Sequence, residues 1–246
     1  MSAVQTNTQI FSQHLHLLPI AWHWQNFVRA WNAEPFGVFF FNSIASNLLI
    51  VVAQVVTSSL AAYSLVFTDF PGKNIVFFLI LMAMMVPLQA IFIPIYLILS
   101  GAHLINTYGA LVLPFVGSAF GIFLMRQGLV SVPREMISAA RIDGASEFRI
   151  LWRVVVPNVK PTIITLVLLN FVYHYNSLFW PLVATNTTHM RVVPVALSYF
   201  LDQDAGSGLQ WNLAMAADLF AILPVILIFL FGQRFIVRGV ASSSIK

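Results

Sequence analysis

Charged and turn-forming residues concentrate between Arg126 and Pro161, where Glu135, Ser138, Ala139, Ala140, Arg141, Asp143, Gly144 and Pro157 interrupt an otherwise hydrocarbon-like chain. These residue types do not suit bond-making chemistry. Cysteine is absent from all 246 residues, so no thiolate nucleophile, thiolate metal site or disulfide framework is available. Their spacing suits a docking surface instead. Pro133 fits a first-turn position, Glu135 lies near the positive end of a helix running to Ile142, and Asp143-Gly144 supplies the turn that ends it. Ala139 and Ala140 are small enough to let another surface approach the backbone. A second helix is predicted from Ser146 or Glu147 through Phe148, Ile150, Leu151, Trp152 and Val156, ended by Pro157 and Pro161. The plain alternative is an amphipathic loop that caps a helix bundle.

A second group, Tyr173-His174-Tyr175-Asn176-Ser177, sits inside an apolar run. Phenol, imidazole, amide and hydroxyl groups can hydrogen-bond a sugar or polyol, and the rings can stack on its apolar face. The competing reading is helix packing, with Asn176 bonding across the bundle. Asp218 joins this group as a candidate path residue, able to pair with His174 or Arg191 or to snorkel to an interface. Gln54 and Gln89 are further mid-span polar groups, and Gly117-x-x-x-Gly121 would allow two helices to approach closely. His14, His16 and His23 have no accompanying cysteine or carboxylate, so no metal site is assigned.

The elements that position these groups are membrane spans. Hydrophobic residues make up 59% of the chain and charged residues 8%, against about 25% charged in soluble domains. Crossing the hydrocarbon takes roughly 20 helical residues. Five stretches qualify: 38–67, 75–99, 108–125, 162–184 and 213–237. Pro87 and Pro94 are expected to bend or break the second. Lys73, the basic residues of loop 126–161, and Arg234, Arg238 and Lys246 fall on one side, leaving Arg29 and Arg191 on the other. That side is therefore cytoplasmic, with the C-terminus inside. Residues 1–36 then form an external or interfacial segment, Trp-rich and broken at Pro19, and 37–246 the transmembrane domain. No secretory leader is expected.

Ala139-Ala140, Asp143-Gly144-Ala145 and Val156-Pro157 resemble the "EAA" loop of permease subunits of binding-protein-dependent ABC importers. Asn42-Ser43, Ser59-Leu60-Ala61-Ala62-Tyr63, Phe70-Pro71-Gly72-Lys73, Ile93-Pro94-Ile95-Tyr96, Asn106-Thr107-Tyr108 and Trp180-Pro181-Leu182 narrow it to the second permease of carbohydrate-type importers, the maltose and glycerol-3-phosphate kind. The resemblance covers residues 25–246. It implies an all-α, polytopic bundle in a bacterial inner membrane, forming half of a path for a sugar, polyol or glycerol phosphate.

The implied partners are a second homologous permease, two ABC ATPase subunits, an extracytoplasmic substrate-binding protein and membrane lipid, with no nucleic acid. The loop helix would dock into an ATPase groove through Ala139, Ala140, Asp143 and Gly144, with Glu135 and Arg141 as flanking polar contacts. The chain has no Gly-x-x-x-x-Gly-Lys-Ser/Thr phosphate loop, so no cofactor is assigned to it and ATP with magnesium belongs to the partner ATPase. On this reading the chain is no enzyme. Two departures stand out. The glutamate that precedes the alanines in that family is Ser138 here, with Glu135 one turn earlier on the same side. The family's first of six helices is also missing, so either a five-span permease is real or, the preferred reading, that helix has been lost or the start placed too late. The rival reading, an ion- or proton-coupled carrier relaying through Asp218 and His174, is opposed by the absence of inverted repeats and the scarcity of membrane acids.

Overall fold

The computed structural model describes residues 1–11, 21–203 and 210–243, and it contains no strand among them. A bilayer imposes this, because each backbone N–H and C=O must find its partner within the segment. Helices α1 (Asn7–Ile10) and α2 (Gln25–Ala33) precede α3 (Phe36–Phe67), a rod of 32 residues. Next come α4 (Lys73–Ala83), α5 (Leu88–Gly101), α6 (Tyr108–Val112) and α7 (Ala119–Val130). The polar loop holds α8 (Arg134–Ile142), α9 (Glu147–Ile150) and α10 (Val156–Asn158). The chain continues through α11 (Lys160–Tyr175), α12 (Phe179–Ala184), α13 (Val193–Gln203) and α14 (Trp211–Ser243).

Two stretches, Phe36–Phe67 and Trp211–Leu230, are long and apolar enough to cross unaided, and three bent pairs bring the total to five if each is one span. The bends have identifiable causes. Helices α4 and α5 meet at 98° across Pro87, which lacks an N–H and pushes Val86 out of the helical region. Pro94 stays inside α5. The predicted span 162–184 is not a single helix: α11 stops at Tyr175 and α12 begins at Phe179. Pro181 accounts for this correction, because a continuous helix would drive its ring into the Ser177 carbonyl. The predicted second loop helix is likewise interrupted, by a π-helical turn at Leu151–Val155 just before Pro157, which offers no N–H to Arg153.

Helix α3 is apolar outside and polar inside. Phe41, Leu48, Leu49 and Val52 are exposed, whereas Asn42, Ser43, Ser46, Asn47, Gln54, Ser58 and Ser59 are buried. Lipid rewards that arrangement, since polar groups must find partners on neighbouring helices. At Gly121 a side-chain Cβ would collide with Ser58 Oγ, so α3 and α7 touch there only because glycine is present, while Gly117 faces open space.

The described part of the N-terminal segment is tied to itself and packs on α14. Asn26 Nδ2 donates to Ala3 O at 2.9 Å and Gln5 O at 3.0 Å, and Trp31 meets Phe220 edge-on at 5.5 Å. His14 and His16 lie outside the described residues.

Candidate functional site: a charged loop and a membrane cavity

Helix α8 buries one residue, Ile137, in a cluster with Val66, Phe67, Leu129, Ile150 and Leu151, which seats the loop on the bundle. Its other face is open: Glu135, Ser138, Ala139, Arg141, Asp143 and Gly144 are exposed and Ala140 half-buried. The Asp143-Gly144 step ends the helix as expected. Gly144 has φ +78°, its N–H donates to Arg141 O, and Ala145 N–H reaches back to Ala140 O, the two bonds of a Schellman cap. Beside this turn Ile142 and Phe148 stand out at 86% and 66% exposure, which water alone does not favour. Pro157 is exposed in α10.

Arg141, though exposed, is tied back to the chain. Its Nε lies 2.7 Å from Glu147 Oε1 and its Nη2 3.1 Å from Oε2, with Nη2 also donating to Phe67 O at 3.3 Å. Tyr63, buried on α3, donates its hydroxyl to Glu147 Oε2. The Arg141 and then the Tyr63 hydrogen bond hold the Glu147 carboxyl below the usual carboxylate range, and Glu147 in turn raises Arg141. The end of α3 gathers two further cations: Arg134 donates to Val66 O at 3.4 Å and Lys73 to Thr68 O at 2.8 Å. Positive groups belong there, where the last helical carbonyls lack partners and the helix dipole is negative. Sequence reasoning missed Tyr63, Glu147, Ile142 and Phe148. Glu147 opening a helix just past the Asp-Gly turn was the available signal for one of them.

The second group is split by the structure. Tyr173 and His174 line a cavity of ≈ 550 Å³ bounded by the α4–α5 break, the start of α7, α11 and Gln54 of α3. Gln54 Nε2 lies 3.0 Å from His174 Nε2 and donates to Phe115 O at 2.8 Å. Gln54 Oε1 and Asn170 Nδ2 are buried in the same wall without a hydrogen-bond partner. No lysine, arginine, aspartate or glutamate lines this cavity among the described residues. Tyr175 and Ser177 instead border a small cavity beside Asn47, which shares His174 and Phe115 with the larger one. Asn176 bonds Val172 O within its own helix rather than across the bundle, and lines neither space.

Asp218 is exposed on α14 and forms no ion pair with His174 or Arg191 among the described residues. Arg191 stacks 4.0 Å over Tyr199, and the His174 ring is engaged by Gln54. Of the alternatives open for Asp218, pairing with His174 or Arg191 is not seen among the described residues, nor is the contact that a proton relay through Asp218 and His174 would use.

At the opposite end of α3, residues of the motifs that carry the resemblance act as staples. Asn42 Nδ2 donates to His189 O and Arg191 O at 2.8 and 2.9 Å, and Tyr108 Oη donates to Asn42 Oδ1 at 2.6 Å. Trp180 Nε1 reaches Ala110 O at 2.9 Å, and Asn106 Oδ1 accepts from Asn186 N and Thr187 N.

A family model described as the inner membrane component of a binding-protein-dependent transport system matches residues 54–242. The chain belongs to that family. Two relatives are similar across most of their lengths. One is the sn-glycerol-3-phosphate transport system permease protein UgpE of Yersinia enterocolitica, 32% identical over 99% of this chain and 88% of that protein. The other is the arabinooligosaccharides transport system permease protein AraQ of Bacillus subtilis, 36% identical over 84% of this chain and 73% of that protein. Among solved structures, a bacterial ABC transporter involved in import of the acidic polysaccharide alginate matches with a TM-score of 0.83 at 24% identity, covering 95% of this chain and 86% of that one. That likeness establishes the fold. The chain is thus a permease subunit of an inner-membrane transport family and not an enzyme, as the resemblance implied.

Proposed function

We propose that this permease forms half of the passage of an ATP-driven importer for a saccharide or a related polyol or glycerol phosphate. Its cargo would arrive from an external binding protein, and it would work beside a second homologous permease and two cytoplasmic ATPases that hold ATP and magnesium. The observation that carries the reading is the loop surface: a Schellman-capped helix on the basic side of the chain, small at Ala139 and Ala140 and apolar at Ile142 and Phe148. Such a surface fits a groove on a soluble partner better than it fits water. The 550 Å³ cavity with Tyr173 and His174 in its wall supports a hydroxyl-rich cargo, because its lining is uncharged yet offers hydrogen-bonding groups. The split of basic residues supports a cytoplasmic loop and C-terminus.

Gly144→Val and Gly144→Asn test the reading together. Open space surrounds Gly144, so valine brings no clash, but its left-handed φ of +78° costs a β-branched residue about 1–2 kcal/mol and asparagine less. Both variants should insert in the membrane. The valine variant should lose co-purifying ATPase and ATP-dependent uptake, while asparagine keeps most of both. Normal uptake in Gly144→Val would refute the docking role of this turn.

A further inference from the structure

We propose that the basic hollow between the ends of α3, α4 and α7 binds a phosphate-bearing anion at the membrane surface, either an anionic lipid headgroup or free phosphate. A cavity of ≈ 170 Å³ is lined there by Lys73, Arg126 and Arg134 over a floor that includes Val66, Val130 and Val132. Three cations around one hollow repel one another, and an anion relieves that repulsion. The two guanidiniums have donors to spare, Arg134 making a single long bond to Val66 O, while Lys73 donates to Thr68 O at 2.8 Å and to Val66 O at 3.5 Å and serves the hollow chiefly as a charge. Arg126 forms no ion pair among the described residues and lies 4.1 Å over the Phe77 ring, a stacking that leaves the edges of its guanidinium available.

The nearby acids do not neutralise the hollow. Asp69 reaches Lys73 at 3.6 Å but is 92% exposed, and Glu147 is taken by Arg141. Backbone geometry adds to the attraction. Helices α4 and α8 both begin at the rim, at Lys73 and Arg134, and neither has a side-chain cap on its first N–H groups. Phosphate headgroups meet such basic recesses at the boundary between spans and cytoplasm, where this cluster falls on the charge distribution. A bound anion here would pin the start of the loop helix to the last turn of α3. Ligand binding at this place does not depend on which cargo the importer carries.

Native mass spectrometry of the full-length protein, delipidated and then given phosphatidylglycerol or phosphatidylcholine, is the test. Phosphatidylglycerol should be retained preferentially. Arg126→Gln should reduce that retention about fivefold, the effect expected of one basic residue at an anionic surface, and Arg126→Lys should preserve it. In a second arm, millimolar inorganic phosphate is added during phenylglyoxal labelling. Protection of Arg126 by phosphate without any lipid preference would support the hollow and name free phosphate as its occupant. Equal retention of both lipids together with no phosphate protection overturns the proposal. So does an unchanged lipid preference in Arg126→Gln.

Discussion

Tyr63, Glu147 and Arg141 make a three-way tie whose energetics can be separated by a double-mutant cycle. Tyr63 is buried and its hydroxyl is directed at Glu147 Oε2, whereas the Arg141 and Glu147 side chains are 42% and 51% exposed. The ion pair is solvent-screened and contributes about 0.5 kcal/mol. The Tyr63 bond contributes about 1 kcal/mol, but losing its acceptor leaves a buried hydroxyl unsatisfied at a cost of about 1–3 kcal/mol. Tyr63→Phe should therefore cost about 1 kcal/mol and Glu147→Ala about 2 kcal/mol. The double variant should cost about 1 kcal/mol less than the sum, since no orphaned hydroxyl remains.

Hydrogen exchange across residues 134–150 and reversible unfolding of the purified chain would measure each step. The pH dependence has a definite sign. Glu147 is depressed in the folded protein, so its contribution is complete above the unfolded carboxylate range, near pH 4.3, and disappears as pH falls through its lower folded value. Strict additivity within about 0.4 kcal/mol would refute the coupling. So would loop protection in Glu147→Ala equal to that of the parent protein.

Two further outcomes follow from the packing. Gly121→Val should separate α3 from α7 by forcing a methyl into Ser58, at a cost of about 1–3 kcal/mol, while Gly117→Ala should be nearly silent; thermal unfolding in detergent distinguishes them, and equal effects would show that the two glycines are not used differently. Asn42→Leu should strip a donor from the His189 and Arg191 carbonyls and an acceptor from Tyr108, a loss of about 2–4 kcal/mol that proteolysis near residues 185–192 would report as increased cleavage.

Much of this was visible in one dimension, and the reasons differ by element. Hydropathy located Phe36–Phe67 and Trp211–Leu230 as long helices, because lipid allows few alternatives to a helix, while the other apolar stretches are bent pairs whose breaks composition does not show. The end of α8 followed from Asp143-Gly144, because a left-handed residue with no Cβ penalty terminates a helix locally. The break after Tyr175 was missed although Pro181 announced it, since an apolar run masks a proline when only composition is weighed. The bonds of Arg141 reach six residues away across a turn and 74 residues away on α3, separations that no helical period connects. Tyr173 and His174 face the large cavity while Tyr175 turns to the smaller one that His174 also borders, because the helix turns about 100° per residue.

The buried polar stripe on α3 gives these separate contacts one logic. Asn42 fastens its first turns to the segment after α12, Gln54 meets His174 and Phe115 in the cavity wall, Ser58 rests on Gly121, and Tyr63 meets the loop through Glu147. From Gln54 to Tyr63 is nine residues, about 13–14 Å of helix at 1.5 Å each. An unbroken helix with fixed polar contacts at both points cannot shift at one without moving at the other, whereas α4–α5 can flex at Pro87. Weakening Tyr63–Glu147 should therefore change how loop motion reaches the cavity without altering the cavity wall itself. The sharp way to see this is a distance label pair spanning residues 54 and 147, which should broaden in Tyr63→Phe while a pair spanning 54 and 174 stays narrow.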